Sequence, residues 1–216
     1  MTMTAPKLSW IALALALVGT GCEGPASYTP AAATTIPIAV PAQRPSFTVG
    51  DEFWFDNGGG SIFVETYTGM EKGLLVFDRG VDRETRLYSP DLAVVDVRRP
   101  FGADEWFEPD NGALDFPLAL GKTWTRDYRV RWSDQLETVH RTRSCTVLDT
   151  GWVTVPAGTF ATYRIACTSR ELGSPDIGNE EVFYAPGVGR IILRRVLGSG
   201  DVLELIEFTR AAPKAQ

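Results

Sequence analysis

From Asp51 to Arg210 the chain is a succession of short extended runs, each closed by turn residues, and no stretch has apolar residues at helical spacing over a useful length. The runs are Asp51 to Asp56, Ser61 to Thr68, Leu74 to Arg79, Glu84 to Ser89 and Leu92 to Arg99 in the first half. Trp124 to Trp132, Leu136 to Asp149, Trp152 to Val155, Thr159 to Arg170, Glu180 to Ala185, Gly189 to Leu197 and Asp201 to Arg210 follow in the second. Turns recur at intervals of roughly 8 to 12 residues, the spacing of an all-β sandwich or barrel. A sheet with one apolar face and no helix to lay across it must be covered by more sheet. The expected fold is therefore all-β: an antiparallel meander of about eleven strands forming a curled half-barrel, a barrel or a sandwich.

Two hairpins are the most legible pieces. Trp152 to Val155 and Thr159 to Ser169 flank Pro156 and Gly158, and Glu181 to Ala185 and Arg190 to Leu193 flank Pro186 and Gly187. Asn57-Gly58-Gly59-Gly60 marks another turn. Val49-Gly-Asp-Glu-Phe-Trp54 is echoed by Leu120-Gly-Lys-Thr-Trp124, which divides the β domain, residues 47–210, into two similar half-sheets, 47–115 and 116–210. Residues 211–216 read as a disordered tail.

The amino end has a different character. Lys7 is followed by the apolar run Leu8 to Val18, then small residues up to Cys22. This is the plan of an export signal, residues 1–21, too short to span a bilayer core that needs roughly 20 helical residues. Small residues immediately before Cys22 resemble the lipobox of bacterial lipoproteins, in which the cysteine becomes the acylated first residue of the mature chain; here Gly19 stands where Leu is commonest. The resemblance implies an acyl chain such as palmitate on Cys22 and a membrane as the first partner. Glu23 follows, where Asp is the usual inner-membrane retention signal, so the sorting between inner and outer membrane stays open. Residues 22–46 are rich in Ala, Thr and Pro and nearly free of charge, the composition of an extended tether.

Removing Lys7 with the leader leaves 20 basic residues against 27 acidic ones, a net charge of −7. Such a surface repels phosphate backbones and argues against nucleic acid as a partner. With Cys22 acylated, Cys145 and Cys167 remain as an even pair, placed almost symmetrically about the Pro156–Gly158 turn; an antiparallel hairpin brings them close enough to bond, unless a bulge at Gly151 shifts the register.

Phe116-Pro-Leu, Gly121-Lys-Thr-Trp124, Val155-Pro-Ala-Gly-Thr-Phe160 and Tyr184-Ala-Pro-Gly-Val-Gly189 together resemble a module of uncharacterised bacterial envelope lipoproteins, of the TapB-like or domain-of-unknown-function kind, over roughly residues 116 to 210. The resemblance implies a lipid-anchored, β-rich envelope protein and carries no catalytic residues over.

Several residues are candidates for function. Trp124, Tyr128, Val130 and Trp132 alternate onto one face of a strand, with Arg126 among them as the polar exception; Trp124, Arg126, Tyr128 and Trp132 are the candidate ligand-facing set. Asp104, Glu105, Trp106, Phe107, Glu108 and Asp110, with Asn111 and Asp115 nearby, form a candidate contact loop. Its acids lack the spacing of a calcium loop, and glycoside hydrolysis would require two of them roughly 5 to 9.5 Å apart across a cleft. His140 is the chain's single histidine, sits in a polar run and has no Gly-x-Ser-x-Gly elbow to serve. Three or four metal ligands cannot be gathered from one His and two bonded Cys. Gly58 to Gly60 precede a strand and so lack the helix dipole of a phosphate loop. No cofactor is expected. These residues point to a lipid-anchored envelope protein, located at a periplasm-facing membrane, with a non-enzymatic β domain for binding an envelope protein or for structure. The alternatives are a carrier of an apolar small molecule inside the curled sheet and a carboxylate-based hydrolase.

Overall fold

The computed structural model describes residues 40–80, 83–175 and 177–212. The expected leader, Cys22 and most of the expected tether lie outside the described residues. Twelve antiparallel strands close into one barrel: β1 Glu52–Asp56, β2 Ile62–Glu71, β3 Leu74–Arg79, β4 Glu84–Tyr88, β5 Val94–Arg98, β6 Glu105–Glu108, β7 Thr123–Trp132, β8 Val139–Val155, β9 Gly158–Glu171, β10 Ile177–Ala185, β11 Arg190–Leu197 and β12 Val202–Thr209. Each strand pairs with its sequence neighbours, and β1 pairs with β12, with Glu52 opposite Thr209. The meander is thus complete, and the sheet covers its own apolar face by meeting itself. The ring runs on between residues 47–115 and 116–210, with β6 paired to β7.

Two strands differ from expectation. The acidic stretch at 105–108, which reads as loop, is β6, pairing Asp96 with Trp106 on one side and Phe107 with Val130 on the other. A strand of four residues is too short to show a period, and ring closure supplies the pairing that propensity does not. Leu136 to Asp149 and Trp152 to Val155, which read as two strands, are the single long β8. Gly151 lies inside it, paired with Thr162, and the bulge is at Leu148, where the register shifts between Val147 and Asp149. That extra residue corrects the slight asymmetry of the cysteines about the turn. Cys145 and Cys167 sit directly opposite one another, with Cα atoms 4.1 Å apart, and are bonded.

The core is built from strand residues of alternating phase and from two irregular segments that fold into the ring. Leu114 and Leu118, between β6 and β7, are fully buried, and the ring of Phe116 packs edge-on against Tyr184 at 5.1 Å. Residues 40–46, which fall within the expected tether, are docked: Ala42 forms a backbone bridge with Leu118, the Tyr163 hydroxyl donates to the Val40 carbonyl at 2.9 Å, and Arg44 pairs with Asp91 at 2.8 Å. A lone bridge has no periodic signature, so the composition of this segment conceals its attachment. Phe47 then enters an aromatic cluster with Phe53, Tyr67 and Phe77, its ring 5.2 Å from Phe77.

The seam between first and last strands is fixed by Asp51, which is almost wholly buried. Its carboxylate accepts hydrogen bonds from the Thr48 amide at 3.0 Å, the Ala211 amide at 2.8 Å and Arg210 Nη1 at 2.6 Å. Ala211, in the expected tail, is thereby tied to the start of the barrel.

The bonded cysteines close a long loop on adjacent strands, which stabilises the fold by about 3 kcal/mol on the chain-entropy account. Replacing both (Cys145→Ala with Cys167→Ala) should lower the free energy of unfolding in urea by about that amount. The far-ultraviolet circular dichroism should stay that of a β protein.

Candidate functional site

Charged residues occupy core-facing positions on strands where the alternation calls for apolar ones. On β2 the buried phase runs Phe63, Glu65, Tyr67; on β3 it runs Leu75, Phe77 and then Arg79; on β4 it takes Glu84, Arg86 and Tyr88, with Arg79 opposite Glu84 and Phe77 opposite Arg86. Arg143 on β8, Glu180 on β10 and Arg190 and Arg194 on β11 join them. Of these, Glu65, Arg79, Arg86, Tyr88, Arg143, Glu180, Arg190 and Arg194 line a cavity of about 190 Å³ in the barrel, whose apolar walls include Phe55, Leu92, Val182, Ile191 and Leu203.

The charges form three linked groups. Glu65 accepts from Arg79 Nη2 at 3.1 Å and from Arg190 Nη2, with the Tyr88 hydroxyl 3.3 Å away. Glu84 contacts Arg86 and lies 3.0 Å from Arg99 Nε and 3.6 Å from Arg79 Nη1. Glu180 contacts Arg143 and accepts from Arg194 Nε at 2.6 Å. The guanidinium of Arg190 is caged by rings, its centre 4.5 Å from Phe77 and 5.2 Å from Tyr88, and that of Arg79 lies 3.7 Å from Phe63. Exposure increases outward from Arg190, whose side chain is 8% accessible, to Arg194 at 47%, so one side of the cavity opens to solvent past Arg194. Beyond it, Arg143, Glu180, Arg194 and Asn111 also border a wider depression that includes Arg141 and Glu171.

The electrostatics follow from burial among many cations. Burial alone would raise the Glu65 carboxyl, but Arg190, Arg86 and Arg79 outweigh it and hold the group below its ordinary value. Burial pushes the Arg143 guanidinium down to about 10, with Arg194 adding to the effect. Arg194 is lowered in turn by burial and by Arg86.

The residues singled out in the sequence lie elsewhere around the ring. Trp124, Arg126, Tyr128 and Trp132 do face inward on β7, while Thr125, Asp127, Arg129 and Arg131 are exposed. Trp124 donates its indole N–H to the Gly112 carbonyl at 3.0 Å and packs against the core. Arg126 has its Nε 3.2 Å from Asp110. Gly112, at φ +62°, lies so close to it that a Cβ there would come within 2.5 Å of the Arg126 Cβ, which leaves room only for glycine. Tyr128 is buried with its ring 6.0 Å from Phe107, and burial raises its phenol. Trp132 is half-buried. Of these four, none borders the 190 Å³ cavity, and Tyr128 alone borders the outer depression.

The acids of the candidate contact loop are taken up by Arg99, Arg126 and Lys122. Asp104 accepts from the Arg99 amide at 2.8 Å, Glu105 lies 3.5 Å from Arg99 Nη2, Asp110 holds Arg126 and the Gly112 amide, and Asp115 pairs with Lys122 at 2.8 Å. Glu108 is exposed, and Trp106 and Phe107 are half-buried on opposite faces of β6. His140 is exposed opposite Arg129. Among the described residues no group of three or more His, Cys, Asp or Glu is arranged to hold a metal ion. The arginines and glutamates of the cavity were discoverable in principle: charges in phase with Phe63, Tyr67 and Phe77 are the same anomaly as Arg126 on β7.

No family model matches the chain, and no curated protein is detectably similar in sequence. Its fold is similar to that of the hypothetical lipoprotein YmcC from Escherichia coli K12, at 9% identity and a TM-score of 0.53, over 77% of this chain and 86% of that one. Weaker similarities reach a protein described as a lipoprotein from Parabacteroides distasonis (11% identity, TM-score 0.44, 79% of this chain and 100% of that one) and one described as exported, with a YmcC-like fold, from Bacteroides fragilis (11%, 0.43, 78% and 100%). At these identities the likeness is one of fold.

Glu65 is the hub that keeps Arg79 and Arg190 compensated. Glu65→Gln should cost about 3 kcal/mol or more, as expected when one member of a buried ion cluster is removed. A carboxylate held below its ordinary 4.5 contributes stability that is fully present above that value and lost as pH falls through the folded one. Thermal melts from about pH 6 to about pH 3 should therefore show a shallower decline in the variant than in the wild type.

Proposed function

We propose that this chain is an exported envelope protein, anchored by an acylated Cys22, whose barrel is a non-enzymatic binding module with its ligand site in the lumen. One observation carries the reading: a closed ring of strands retains an internal cavity open at one side, lined by side chains that bonding within the sheet does not require there. A barrel serving only as a spacer gains nothing from buried charges around an unfilled volume, since a well-packed apolar interior is as stable or more so.

The chemistry around the cavity favours holding over reacting. Glu65, Glu84 and Glu180 are each committed to two or more arginines, and Glu65 and Glu84 are held below their ordinary values despite burial, which leaves them ionised and without a proton to donate. An envelope location is supported by the leader-like amino end and by the bonded Cys145–Cys167 pair, which persists in oxidising compartments. One acyl chain binds a membrane only marginally, so a stable anchor implies the multiple acyl chains that lipoprotein processing supplies. The alternative of an apolar carrier is less well supported, because seven of the sixteen lining residues are charged.

Two measurements test the two parts. Cells fed radioactive palmitate should label the wild-type protein and leave Cys22→Ala unlabelled; equal labelling removes the anchor. Native mass spectrometry of the protein from its own envelope should show a bound small molecule. Leu203→Phe, which fills the lumen from β12, should lack it, and an identical spectrum from both proteins removes the lumen as the site.

A further inference from the structure

The cavity has an excess of positive charge in a chain that is acidic as a whole. Arg79, Arg86, Arg143, Arg190 and Arg194 line it, and the acids in contact with them are Glu65, Glu84 and Glu180: five cations against three anions. The formal charge of the whole chain is −6. Three of the five guanidiniums are buried and paired with the glutamates, while Arg86 and Arg194 stand nearer solvent; N–H groups removed from water are costly unless bonded, and a lining with two more cations than anions suits an incoming anion. The unsatisfied donors lie on the buried members. Arg143 and Arg190 are 9% and 7% exposed, and Arg143 Nε and Arg190 Nη1 are buried without a hydrogen-bond partner in the protein, as is Arg79 Nε. The oxygens of an anion would satisfy such N–H groups.

We propose that the barrel lumen binds a small organic anion, with a carboxylate or phosphate head held by Arg143, Arg194 and Arg86 and a short apolar body against Val182, Ile191 and Leu203. This deepens the reading of the barrel as a lumen-binding module and rests on it. The guanidinium fork matches the planar edge of a carboxylate and two oxygens of a phosphate, and such charge-assisted bonds are about twice as strong as neutral ones. The size fits as well. At about 190 Å³ the cavity has the liquid volume of roughly six water molecules, enough for an acid of several carbons and too little for a polymer segment. Burial lowers both Arg143 and Arg194, with Arg194 adding to the first and Arg86 to the second, and a further anion among these three would relieve it. Entry lies past half-exposed Arg194, which a ligand would meet before the buried arginines.

Calorimetric titration of the folded protein with hexanoate, inorganic phosphate and hexanol tests the proposal. Hexanoate should bind saturably at one site, phosphate more weakly at the same site in competition, and hexanol not at all. Arg194→Gln, at the open mouth, should weaken hexanoate by about tenfold or more with an unchanged far-ultraviolet circular dichroism, and Arg194→Glu should abolish binding. Arg129→Gln, on the outer face of β7, should leave it unchanged. Binding of hexanol as tight as that of hexanoate would overturn the anion assignment and leave the lumen as a site. Failure of all three probes would remove both readings. Binding that survives Arg194→Glu, or that falls equally in Arg129→Gln, would show the anions to be held elsewhere and overturn the proposal.

Discussion

The sheet's need to cover itself governs the rest of this structure. A twisted antiparallel sheet presents one apolar face and two edges with unpaired backbone groups, and a helix could mask the first and a loop the second. The chain from 52 to 209 has neither device among its described residues, and meets both demands by pairing β1 with β12. The seam is short, five residue pairs with a register shift at Trp54 and Phe55, and it is reinforced from the side. Asp51 gathers an amide on its own side of the seam, the Ala211 amide and the Arg210 guanidinium from beyond β12. Burial alone would raise its carboxyl; the Thr48 and Ala211 amides and Arg210 hold it low, so it remains a charged acceptor where closure needs one.

Once closed, a twelve-stranded ring encloses more volume than its strand side chains fill, and two answers coexist in the interior. One is added mass: the 40–50 segment brings Phe47, and the stretch before β7 brings Leu114, Phe116 and Leu118, all packed with the strand residues into a common core. The other is charge. Arginine–glutamate pairs, most of them on the same or adjacent strands, border a lumen that stays unfilled, and Arg190 of β11 reaches as far as Glu65 on β2. A buried ion cluster is a poor way to gain stability, and its presence alongside a well-packed apolar region points to a use other than stability. The aromatic rings around Arg190 fit this division, as they stabilise the cation without neutralising it.

Much of the fold was legible because hairpins announce themselves locally. Pro156–Gly158 and Pro186–Gly187 mark turns by residue chemistry, and the alternation of Trp124 to Trp132 separates an inner from an outer face in the expected phase. What failed to show was whatever depended on closure or on partners distant in sequence. β6 is a strand because β5 and β7 lie on either side of it, not because Glu-Trp-Phe-Glu favours extension. Residues 40–46 are attached through Leu118 and Tyr163, more than 70 residues away. The site escaped for a related reason. Arg126 was noticed as one charge on one apolar face, whereas the five lumen arginines are spread over four strands and converge only when the ring is formed. No single window of sequence contains more than a fragment of them, and charges within a strand read most simply as solvent-facing.

Neighbour-to-neighbour pairing also sets the order in which contacts become available. Eleven of the twelve pairings join strands adjacent in the chain, and each can zip as soon as its second strand exists. The twelfth joins the two ends. Whether the polypeptide leaves a ribosome or emerges from a membrane pore amino end first, β1 arrives with one edge paired to β2 and the other bare, and must wait for the final strand. During that interval the half-built sheet exposes an adhesive rim, the condition under which strands recruit the wrong partner. The docking of Ala42 on Leu118 and of Val40 on Tyr163 can form before β12 appears, so the amino-terminal segment is positioned to hold the growing sheet curled toward closure while its last piece is still in transit.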